Sequence, residues 1–479
     1  MKNSELTAFK NSRATAIKNS RRVTPLIRVV SLKTLPDPLL VYEAILQDTK
    51  LPAFLMESVT HEEGKGDQSF ICLLGKTLCI AKTMKSSRSI KRALRRASPM
   101  PHDTLAFVGG GGGIIGYEIA SSIEKTVKPH SVDPFKLPVI ALYRFSLVIA
   151  LDHKTNTLYY IANVPTAYTA ERGYAEGCRL IRQMELYVAN SALVQNKKDT
   201  VRLNDISPNI TDDEYMKMVA KAKQYIEQGD IFQVVLSRCF SVPFCGDGTS
   251  FYRALRANNP SPYLFHMRLC DACRNAILVG SSPEIMANIQ KGKIVVRPLA
   301  GTRGRGKTPA GDKRKEHALL NSKKECAEHG MLVDLALHDV RGLCETGSTK
   351  VVKLMELEKF KTLIHMASEI NGTLRKNVHP FDACIRVSPA GTLSGCPKIR
   401  AQQIIAELEP CQRGPYGGMI GWFTDYSART GIFIRSALIL KGKLYFQVGC
   451  GIVSDSEPKA ELAETGIKAR GTLRSLKEL

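Results

Sequence analysis

The sequence predicts an α+β protein in which large antiparallel sheets pack as a sandwich with helices on the outside. Strand-like and helix-like segments follow one another without the regular alternation that a parallel βαβ sheet requires. Short polar turns join several strand-like segments directly. Residues 152–156, for example, separate two apolar segments within residues 138–164. The chain has 479 residues, of which 44% are hydrophobic, and this is enough to form an extensive core.

The first half of the chain predicts more strand than helix. Apolar residues at helical spacing predict helices over residues 39–46 and 170–195. Besides the pair within residues 138–164, strands are predicted over residues 53–59 and 69–81.

The second half alternates less regularly between the two types of element. Thr211 and Glu214 have the spacing of a capping box and predict a helix over residues 212–228. Further helices are predicted over residues 249–257, 313–342 and 398–409, and from Pro458 onwards. Strands are predicted over residues 231–239, 261–269, 276–280, 293–299, 417–424, 431–440 and 443–450.

Three regions are predicted along the chain. Residues 1–30 are basic, with Glu5 as the only acidic residue, which predicts a disordered arm or alternatively an organelle transit peptide. The polar segment 196–210 then separates an N-terminal region, residues 31–200, from a catalytic domain, residues 205–479. We therefore expect a cytoplasmic protein, or a plastid protein if residues 1–30 form a transit peptide.

Composition excludes some classes of protein. No apolar run approaches the roughly 18 residues that a membrane helix needs, so we expect no membrane partner. The formal net charge of +23 should attract anions, either nucleic acid or a small dicarboxylate. No nucleic-acid motif accompanies the basic residues, so we expect no nucleic-acid partner. The 13 cysteines are odd in number and follow no secretion signal, which predicts reduced thiols.

Three short motifs suggest other functions. Residues 301–308 fit a phosphate-binding loop of an NTPase. Such a loop should lead directly into a helix whose N-terminal amides face the phosphate, but here a polar segment without an early apolar stripe follows. Residues 111–116 fit a dinucleotide fingerprint without a βαβ unit around them, which favours a hairpin or a bulge. Residues 270–273 form a lone C-x-x-C, which favours a turn because a zinc site needs more ligands.

The segments RPLAGTRGRGKT and ECAEHGMLVDL, within residues 297–335, resemble the chorismate-binding enzymes, and most specifically the anthranilate synthase component I family. Other stretches resemble that family in the same order. They are FLMESV (54–59), GDIFQVVLS (229–237), NPSPYLF (259–265), GSSPEIM (280–286), SPAGTLSGCPKIRAQQII (388–405), RGPYGGMIGWF (413–423) and GCGIVSDSEP with ELAETGIKAR (449–470). The resemblance extends from about residue 36 onwards and implies the anthranilate synthase fold.

The resemblance implies a Mg²⁺-dependent lyase that converts chorismate and ammonia into anthranilate and pyruvate, the first step of tryptophan biosynthesis. The ammonia would come from glutamine through a partner amidotransferase subunit, so we expect a hetero-oligomer. No glutaminase pattern is visible in this sequence.

Carboxylates on two predicted helices suit a metal. Glu461 and Glu464 share one helix face, and Glu325 and Glu328 share another. Carboxylates from separate helices, with waters and substrate oxygens, suit octahedral Mg²⁺. By resemblance, Glu328 and Glu464 are the ligands, and Glu325 and Glu461 support them. The residues implied to bind substrate are Ala300, Gly301, Thr302, Tyr416, Arg435, Gly449, Gly451 and Lys468.

The resemblance also implies the catalytic residues Gln233, Glu284, His365 and Thr392. Relatives that add water carry lysine at the position of Gln233, so glutamine there fits ammonia as nucleophile. Glu284 would be the general acid for the departing hydroxyl, with a pKa raised by burial. His365 matches a histidine implicated in the elimination, although a structural role stays open. Ala300 disfavours aminodeoxychorismate synthase, whose members typically carry lysine there.

Feedback inhibition is implied as well. In the family, tryptophan binds between two segments that lie away from the active site, and the alternative is ordinary sheet packing. The corresponding residues here are Glu57, Ser58, Pro262, Tyr263 and Leu264.

This sequence departs from the family pattern near the site. Leu337 and His338 replace an arginine and an asparagine, and Ile467 replaces an asparagine. Cys396 and Cys450 replace small residues. These changes leave open a catalytically impaired chorismate-binding protein, beside the alternatives of aminodeoxychorismate synthase component I and an NTPase.

Overall fold

The computed structural model describes residues 2–18, 22–58, 67–195, 198–359 and 363–479. Within these ranges the helices are α1 Lys2–Lys18, α2 Pro38–Asp48, α3 Arg88–Ala97, α4 Ala120–Ile123, α5 Ala170–Asn190, α6 Asp212–Glu227, α7 Thr249–Asn258, α8 Pro309–Leu320, α9 Lys323–Arg341, α10 Pro380–Val387, α11 Lys398–Leu408 and α12 Pro458–Leu476. The strands in the same ranges are β1 Val23–Ser31, β2 Ala53–Glu57, β3 Gln68–Ala81, β4 Gly111–Ile115, β5 Ile140–Asp152, β6 Thr157–Pro165, β7 Thr200–Val201, β8 Ser207–Pro208, β9 Gln233–Cys245, β10 Tyr263–Arg268, β11 Ile277–Ser282, β12 Ile285–Gln290, β13 Lys293–Val296, β14 Leu299–Gly304, β15 Lys350–Lys359, β16 Leu363–Thr373, β17 Gly395–Cys396, β18 Met419–Phe423, β19 Ala428–Ile432, β20 Ser436–Leu440 and β21 Lys443–Ile452.

Antiparallel pairings join most of these strands into one continuous sheet. One arm runs from β15 through β16, β13, β12, β19, β18 and β4 to β5. The other arm runs from β5 through β3, β2, β10, β11, β20 and β21 to β9. The arms enclose a shared core with large aromatic side chains, among them Phe54, Phe145, Phe265 and Trp422. The predicted antiparallel sandwich is confirmed.

Helices cover the outer faces of the sandwich, as the sequence predicts. α2, α5, α7 and α12 pack on one arm, around Leu39, Met184 and Phe251. α3, α9 and α10 pack on the other arm, around Val333 and Phe381. Each helix buries an apolar stripe against an apolar sheet face, which is why the chain forms layers. No helix in the described residues is long and apolar enough to cross a membrane.

The predicted capping box begins α6. Thr211 Oγ1 accepts the Glu214 N–H at 3.2 Å, and the Glu214 carboxylate accepts the Thr211 N–H at 2.7 Å. Gly229, with φ of 81°, turns the chain after α6. The chain then enters β9, whose first residue is Gln233. The local signals around α6 therefore fix where a predicted catalytic residue enters the sheet.

The N-terminal segment differs from the expected disordered arm. Residues 2–18 form α1, in which Phe9 is buried, with its ring 6.1 Å from that of Tyr174. Arg13 donates to the Thr166 carbonyl oxygen at 3.0 Å. β1 then pairs with β6 over its whole length. The expectation failed because few apolar residues anchor this basic segment, and their partners are remote in the sequence.

Two predicted elements are each divided in two. The predicted helix 313–342 is α8 followed by α9, because Ser322 caps α9 by accepting the Glu325 N–H at 3.4 Å. The predicted strand 431–440 is β19 followed by β20. Arg435 lies between them with φ of 50°, in the left-handed region that ends an extended strand. The first break lies three residues before Glu325, and the second lies at Arg435, both of them predicted site residues.

The glycine run forms a strand inside the sheet, and the expected hairpin or bulge is wrong. β4 pairs with β5 on one side and β18 on the other. A Cβ on Gly112 would lie 3.1 Å from the Phe145 ring and 3.3 Å from that of Phe54. The glycines of β4 therefore leave room for the aromatic core.

Candidate active site

The four carboxylates predicted for the metal lie on α9 and α12. Glu325 and Glu328 belong to α9, and Glu461 and Glu464 to α12. The Glu461 and Glu464 carboxylates and the Cys450 thiol lie within 4.8 Å of one another. Each pair is three residues apart and so shares one helix face, as expected. The structure thus forms a cluster of oxygen donors with one sulfur beside it.

Electrostatics connects the two helices. Burial raises the pKa of Glu328, and the charges of Glu325, Glu461 and Glu464 raise it further, whereas Lys324 lowers it. Like charges that cannot separate favour a bound cation between them. Oxygen is the ligand that Mg²⁺ prefers, and carboxylates dominate this donor set. The residues present therefore fit the expected metal.

His329 fixes β14 against α9. Its Nδ1 lies 3.2 Å from the Ala300 carbonyl oxygen, and its Nε2 lies 2.7 Å from Ser368 Oγ. Burial lowers the pKa of His329, and a carbonyl oxygen only accepts. We therefore assign the neutral tautomer that donates from Nδ1 and accepts at Nε2.

A Cβ on Gly301, which has φ of 77°, would lie 3.2 Å from the Glu325 carboxylate. Glycine thus lets the backbone pass the carboxylate cluster closely.

Gly449 and Gly451 of β21 leave space beside two predicted site residues. A Cβ on Gly449 would lie 2.9 Å from the Tyr416 hydroxyl, and one on Gly451 would lie 2.4 Å from Gln233 Nε2. Gln233 is 6% exposed, and its buried Oε1 has no hydrogen-bond partner among the described residues. The amide oxygen of Gln233 is therefore available to a ligand.

Lys468 supplies a positive charge next to this space. Its Nζ donates to the Gly449 carbonyl oxygen at 2.8 Å and lies 2.8 Å from the Glu464 carboxylate. Burial lowers the pKa of Lys468, but the neighbouring Cys450 and Glu464 outweigh it and the net shift is upward. Burial raises the pKa of Tyr416 to about 12. A permanent ammonium and a neutral phenol are suitable donors for a carboxylate.

Glu284 lies in a second part of the site. Its buried carboxyl accepts a hydrogen bond from Thr392 Oγ1 at 2.8 Å. Burial raises its pKa to about 7, although Thr392 and Arg435 lower it. The direction of this shift is the one expected from the sequence. Glu284 and Thr392 border a cavity that Leu332 and Ala336 of α9 also line.

Arg435 and His365 lie close to one another in the same part. Arg435 Nη2 is 3.5 Å from His365 Nε2. Burial lowers the pKa of Arg435, and the nearby Glu284 raises it. His365 of β16 lies opposite Thr302 of β14, whose side chain is not among those the structure describes. The strand register thus brings together residues that are far apart in the sequence.

Arg413 was not predicted, yet it connects several segments of the site. It pairs with Glu409 at 2.5 Å and donates to the carbonyl oxygens of Leu393 at 2.6 Å and Val235 at 2.7 Å. Its guanidinium carbon lies 5.6 Å from the centre of the Tyr416 ring. The Arg413 side chain is 1% exposed, so these contacts are formed without water.

These contacts show why sequence reasoning missed Arg413. Leu393 follows Thr392, and Val235 is two residues after Gln233, so one guanidinium binds both segments that carry these predicted catalytic residues. In sequence, Glu409 and Arg413 have the spacing of an ordinary surface pair. The segment RGPYGG was a motif of the family resemblance, and its arginine was the available signal.

The departures from the family pattern change the surroundings of the site and leave its carboxylates in place. Leu337 packs against the apolar core beneath α9, and His338 is exposed. Asp339, next in the chain, forms an ion pair with Lys398. Ile467 is 54% exposed. The substitutions at 337, 338 and 467 therefore alter packing and surface contacts, whereas Cys450 adds a thiol beside the carboxylates.

The predicted inhibitor residues line one cavity between the two arms of the sheet. Its lining includes Phe54, Trp422, Arg429 and all five predicted residues, Glu57, Ser58, Pro262, Tyr263 and Leu264. The sequence thus placed these residues together correctly, whatever ligand they bind.

Contacts around this cavity limit what its groups can do. The Glu57 carboxylate already accepts a hydrogen bond from Tyr252 at 2.7 Å and lies 3.5 Å from Arg256. Burial raises its pKa. On the other wall, a Cβ on Gly431 would lie 2.9 Å from the Tyr263 ring. The cavity therefore offers a paired carboxylate and a tyrosine packed directly on β19.

The two other motifs have local structural roles. A helix, α8, does follow residues 301–308, but the Asp312 carboxylate accepts the Gly306 N–H at 2.5 Å and the Arg305 guanidinium at 2.9 Å. An intrachain carboxylate thus takes the donors that a phosphate would need. Residues 270–273 form a turn between β10 and β11, as expected, and Cys273 is buried against Tyr143.

Comparisons with known proteins agree with this arrangement. A family model described as chorismate binding enzyme matches residues 52–474. Anthranilate synthase component 1 of Acetivibrio thermocellus is 36% identical over 381 residues, 78% of this chain and 76% of that protein. The Geobacillus stearothermophilus protein of the same name is 34% identical over 495 residues and covers 95% of this chain and 94% of its own. The crystal structure of anthranilate synthase component I from Streptococcus pneumoniae superposes with a TM-score of 0.69 at 32% identity, covering 78% of this chain and 82% of that one.

Proposed function

We propose that this chain, which belongs to the chorismate-binding enzymes and to the anthranilate synthase component 1 family within them, converts chorismate and ammonia into anthranilate and pyruvate. One observation carries the proposal. Glu461 and Glu464 lie together beside Lys468, and the pKa of Glu328 responds to both of their charges, so that the chain combines a cation site with a carboxylate-binding group. Chorismate is a dicarboxylate, and binding it requires both.

The reaction has two parts. Ammonia adds at C2 of chorismate as the C4 hydroxyl leaves with a proton, as water. Loss of the C2 proton and of the enolpyruvyl group as pyruvate then gives the aromatic product. Glu328 and Glu464 would hold Mg²⁺, which would supply Lewis-acid stabilisation of the negative charge on the substrate carboxylate.

The residues of this chain do the remaining work. Lys468 and Arg435 bind carboxylate groups, and Gly449 and Gly451 let the substrate lie close to β21. The free amide oxygen of Gln233 accepts a hydrogen bond from the entering ammonia. An amide is not a base at neutral pH, so Gln233 orients this nucleophile without activating water.

Glu284 gives its proton to the departing hydroxyl. A carboxyl with a pKa of about 7 is partly protonated at neutral pH, which suits a general acid. Thr392 holds that carboxyl in place. His365 accepts the C2 proton in the elimination, and Arg435 at 3.5 Å keeps its ring oriented.

We also propose the regulation and the partner implied by this function. Tryptophan binds in the cavity lined by Glu57, Ser58 and Tyr263, and its indole ring contacts the aromatic wall. A glutamine amidotransferase subunit supplies the ammonia. The chain would act in the first step of tryptophan biosynthesis, in the cytoplasm.

The test is anthranilate fluorescence from the purified chain with chorismate, Mg²⁺ and an ammonium salt. We expect fluorescence that EDTA abolishes and that excess Mg²⁺ restores. Glu464→Gln should abolish it too, whereas Glu478→Gln, outside the cluster, should not. Formation of aminodeoxychorismate or isochorismate would show that the argument from Gln233 and Ala300 is wrong. Chorismate binding without turnover would favour the alternative that the chain is a catalytically impaired chorismate-binding protein.

A further inference from the structure

We propose that Cys450 makes the carboxylate cluster a binding site for thiophilic divalent cations, such as Zn²⁺, which displace Mg²⁺ and switch the site off. The binding of such a cation does not depend on the reaction. Only the displacement of Mg²⁺ rests on the proposed function.

The donor atoms are already close together. Cys450 Sγ and the carboxylates of Glu461 and Glu464 lie within 4.8 Å of one another. Cys450 is fully buried, and its Sγ lies 3.5 Å from the Glu461 carbonyl oxygen, so that the thiol faces α12. Two elements, β21 and α12, therefore contribute one soft and two hard ligands.

Ser456 already orients Glu461, since its hydroxyl donates to that carboxylate at 2.7 Å. One thiolate, two carboxylates and a water molecule would satisfy a four-coordinate cation.

The preference follows from ligand chemistry. Mg²⁺ binds oxygen and gains nothing from sulfur, whereas Zn²⁺ binds thiolate strongly and favours four ligands. Donors around a tetrahedral zinc with sulfur and oxygen ligands are about 3.5 Å apart, so the cluster needs only a small contraction. On binding, the S–H bond of Cys450 breaks, its proton passes to water and an S–Zn bond forms. The Glu464 carboxylate leaves its ion pair with Lys468 and binds the metal instead.

Cys326 provides a matched control. It lies on α9, beside Glu325 of the same cluster. Its thiol donates to the Leu320 carbonyl oxygen at 3.2 Å, in the turn before α9, and among the described residues it belongs to no group of three ligand atoms within 4.8 Å of one another. If the cation bound any cysteine near the site, both Cys450→Ser and Cys326→Ser would weaken its binding.

The experiment uses the full chain, stripped of metal with a chelator and titrated with Co²⁺, which reports thiolate ligation by a charge-transfer absorption band. We expect the band in the wild type and in Cys326→Ser, and its loss in Cys450→Ser. Zn²⁺ affinity, measured against a chromophoric chelator, should fall at least about tenfold in Cys450→Ser. Excess Mg²⁺ should displace Co²⁺ from the wild type.

Several outcomes would overturn the proposal. A band that persists in Cys450→Ser, or one that is absent from the wild type, means that Cys450 is not a ligand. If Cys450→Ser does not fold, as judged by near-UV circular dichroism, Glu464→Gln decides, since it keeps the thiol and must still weaken Zn²⁺ binding. Because none of these measurements uses chorismate, a failed anthranilate assay leaves their meaning unchanged.

Discussion

Thr392 donates its hydroxyl hydrogen to the buried carboxyl of Glu284 at 2.8 Å. Burial raises the pKa of this carboxyl and the hydrogen bond lowers it, and the net pKa is about 7. The hydrogen bond favours the ionised form, and burial favours the protonated one. The balance leaves the carboxyl close to half-protonated at neutral pH.

This balance predicts the pH dependence of the reaction. Because Glu284 acts in its protonated form, kcat should fall as the pH rises through about 7. Thr392→Val removes a contact that lowers the pKa, so it should shift the alkaline limb to higher pH. Glu284→Gln should lower kcat by roughly 10²–10⁴-fold and abolish the limb. Steady-state rates across pH would contradict this assignment if Thr392→Val left the limb in place.

Gly451→Ala should act through Gln233. The new Cβ would lie 2.4 Å from Gln233 Nε2, so the amide must move away from the ammonia site. We expect kcat to fall and the KM for ammonium to rise. Gly466→Ala is the control, because a Cβ there meets nothing within 4 Å. Equal kinetics for the two variants would mean that the position of Gln233 does not matter.

Arg413→Met should destabilise the fold strongly. The pair with Glu409 is buried, and removal of one partner leaves an unpaired charge, which costs about 3–5 kcal/mol. Urea denaturation measures this loss. The double variant Glu409→Gln/Arg413→Met should recover part of it, because no charge remains unpaired. Arg179→Met, which breaks an exposed pair with Glu176, should cost at most about 1 kcal/mol.

Ser58→Ala should weaken inhibition by tryptophan. If the hydroxyl bonds the ligand, its loss costs about 1.4 kcal/mol, which corresponds to a tenfold rise in the half-inhibitory concentration. Each variant is measured against its own uninhibited rate. Ser207→Ala, outside the cavity, should be inhibited by tryptophan as strongly as the wild type. An unchanged response of Ser58→Ala would place the inhibitor elsewhere.

Local signals predicted much of the fold. The capping box at Thr211, the turn at residues 152–156 and the period of α2 each depend on neighbouring residues, and the structure confirms all three. α1 escaped prediction because Phe9 and Arg13 are held by α5 and the end of β6, some 150 residues away. A sequence without its partners does not show such contacts.

The residues of the site likewise fall into two groups, those that local spacing predicts and those that depend on remote contacts. The carboxylates of α12 share a face because of helical spacing alone, so their proximity could be predicted. Arg435 could not be placed, because its left-handed conformation interrupts an apolar run that looks like one strand. Arg413 could not be assigned either, since its carbonyl partners Leu393 and Val235 carry no side-chain signal.

The packing of Tyr263 on Gly431 connects the two cavities. The next residue, Ile432, donates its N–H to the Glu284 carbonyl oxygen at 3.0 Å, so two contacts link the cavity proposed for tryptophan to the backbone of the proposed general acid. Displacement of the tyrosine ring by a ligand would act on β19 and, through Ile432, on the backbone of Glu284. Such coupling is reciprocal: by whatever factor tryptophan weakens chorismate binding, chorismate weakens tryptophan binding by the same factor. A cell rich in chorismate would accordingly need more tryptophan to stop the pathway.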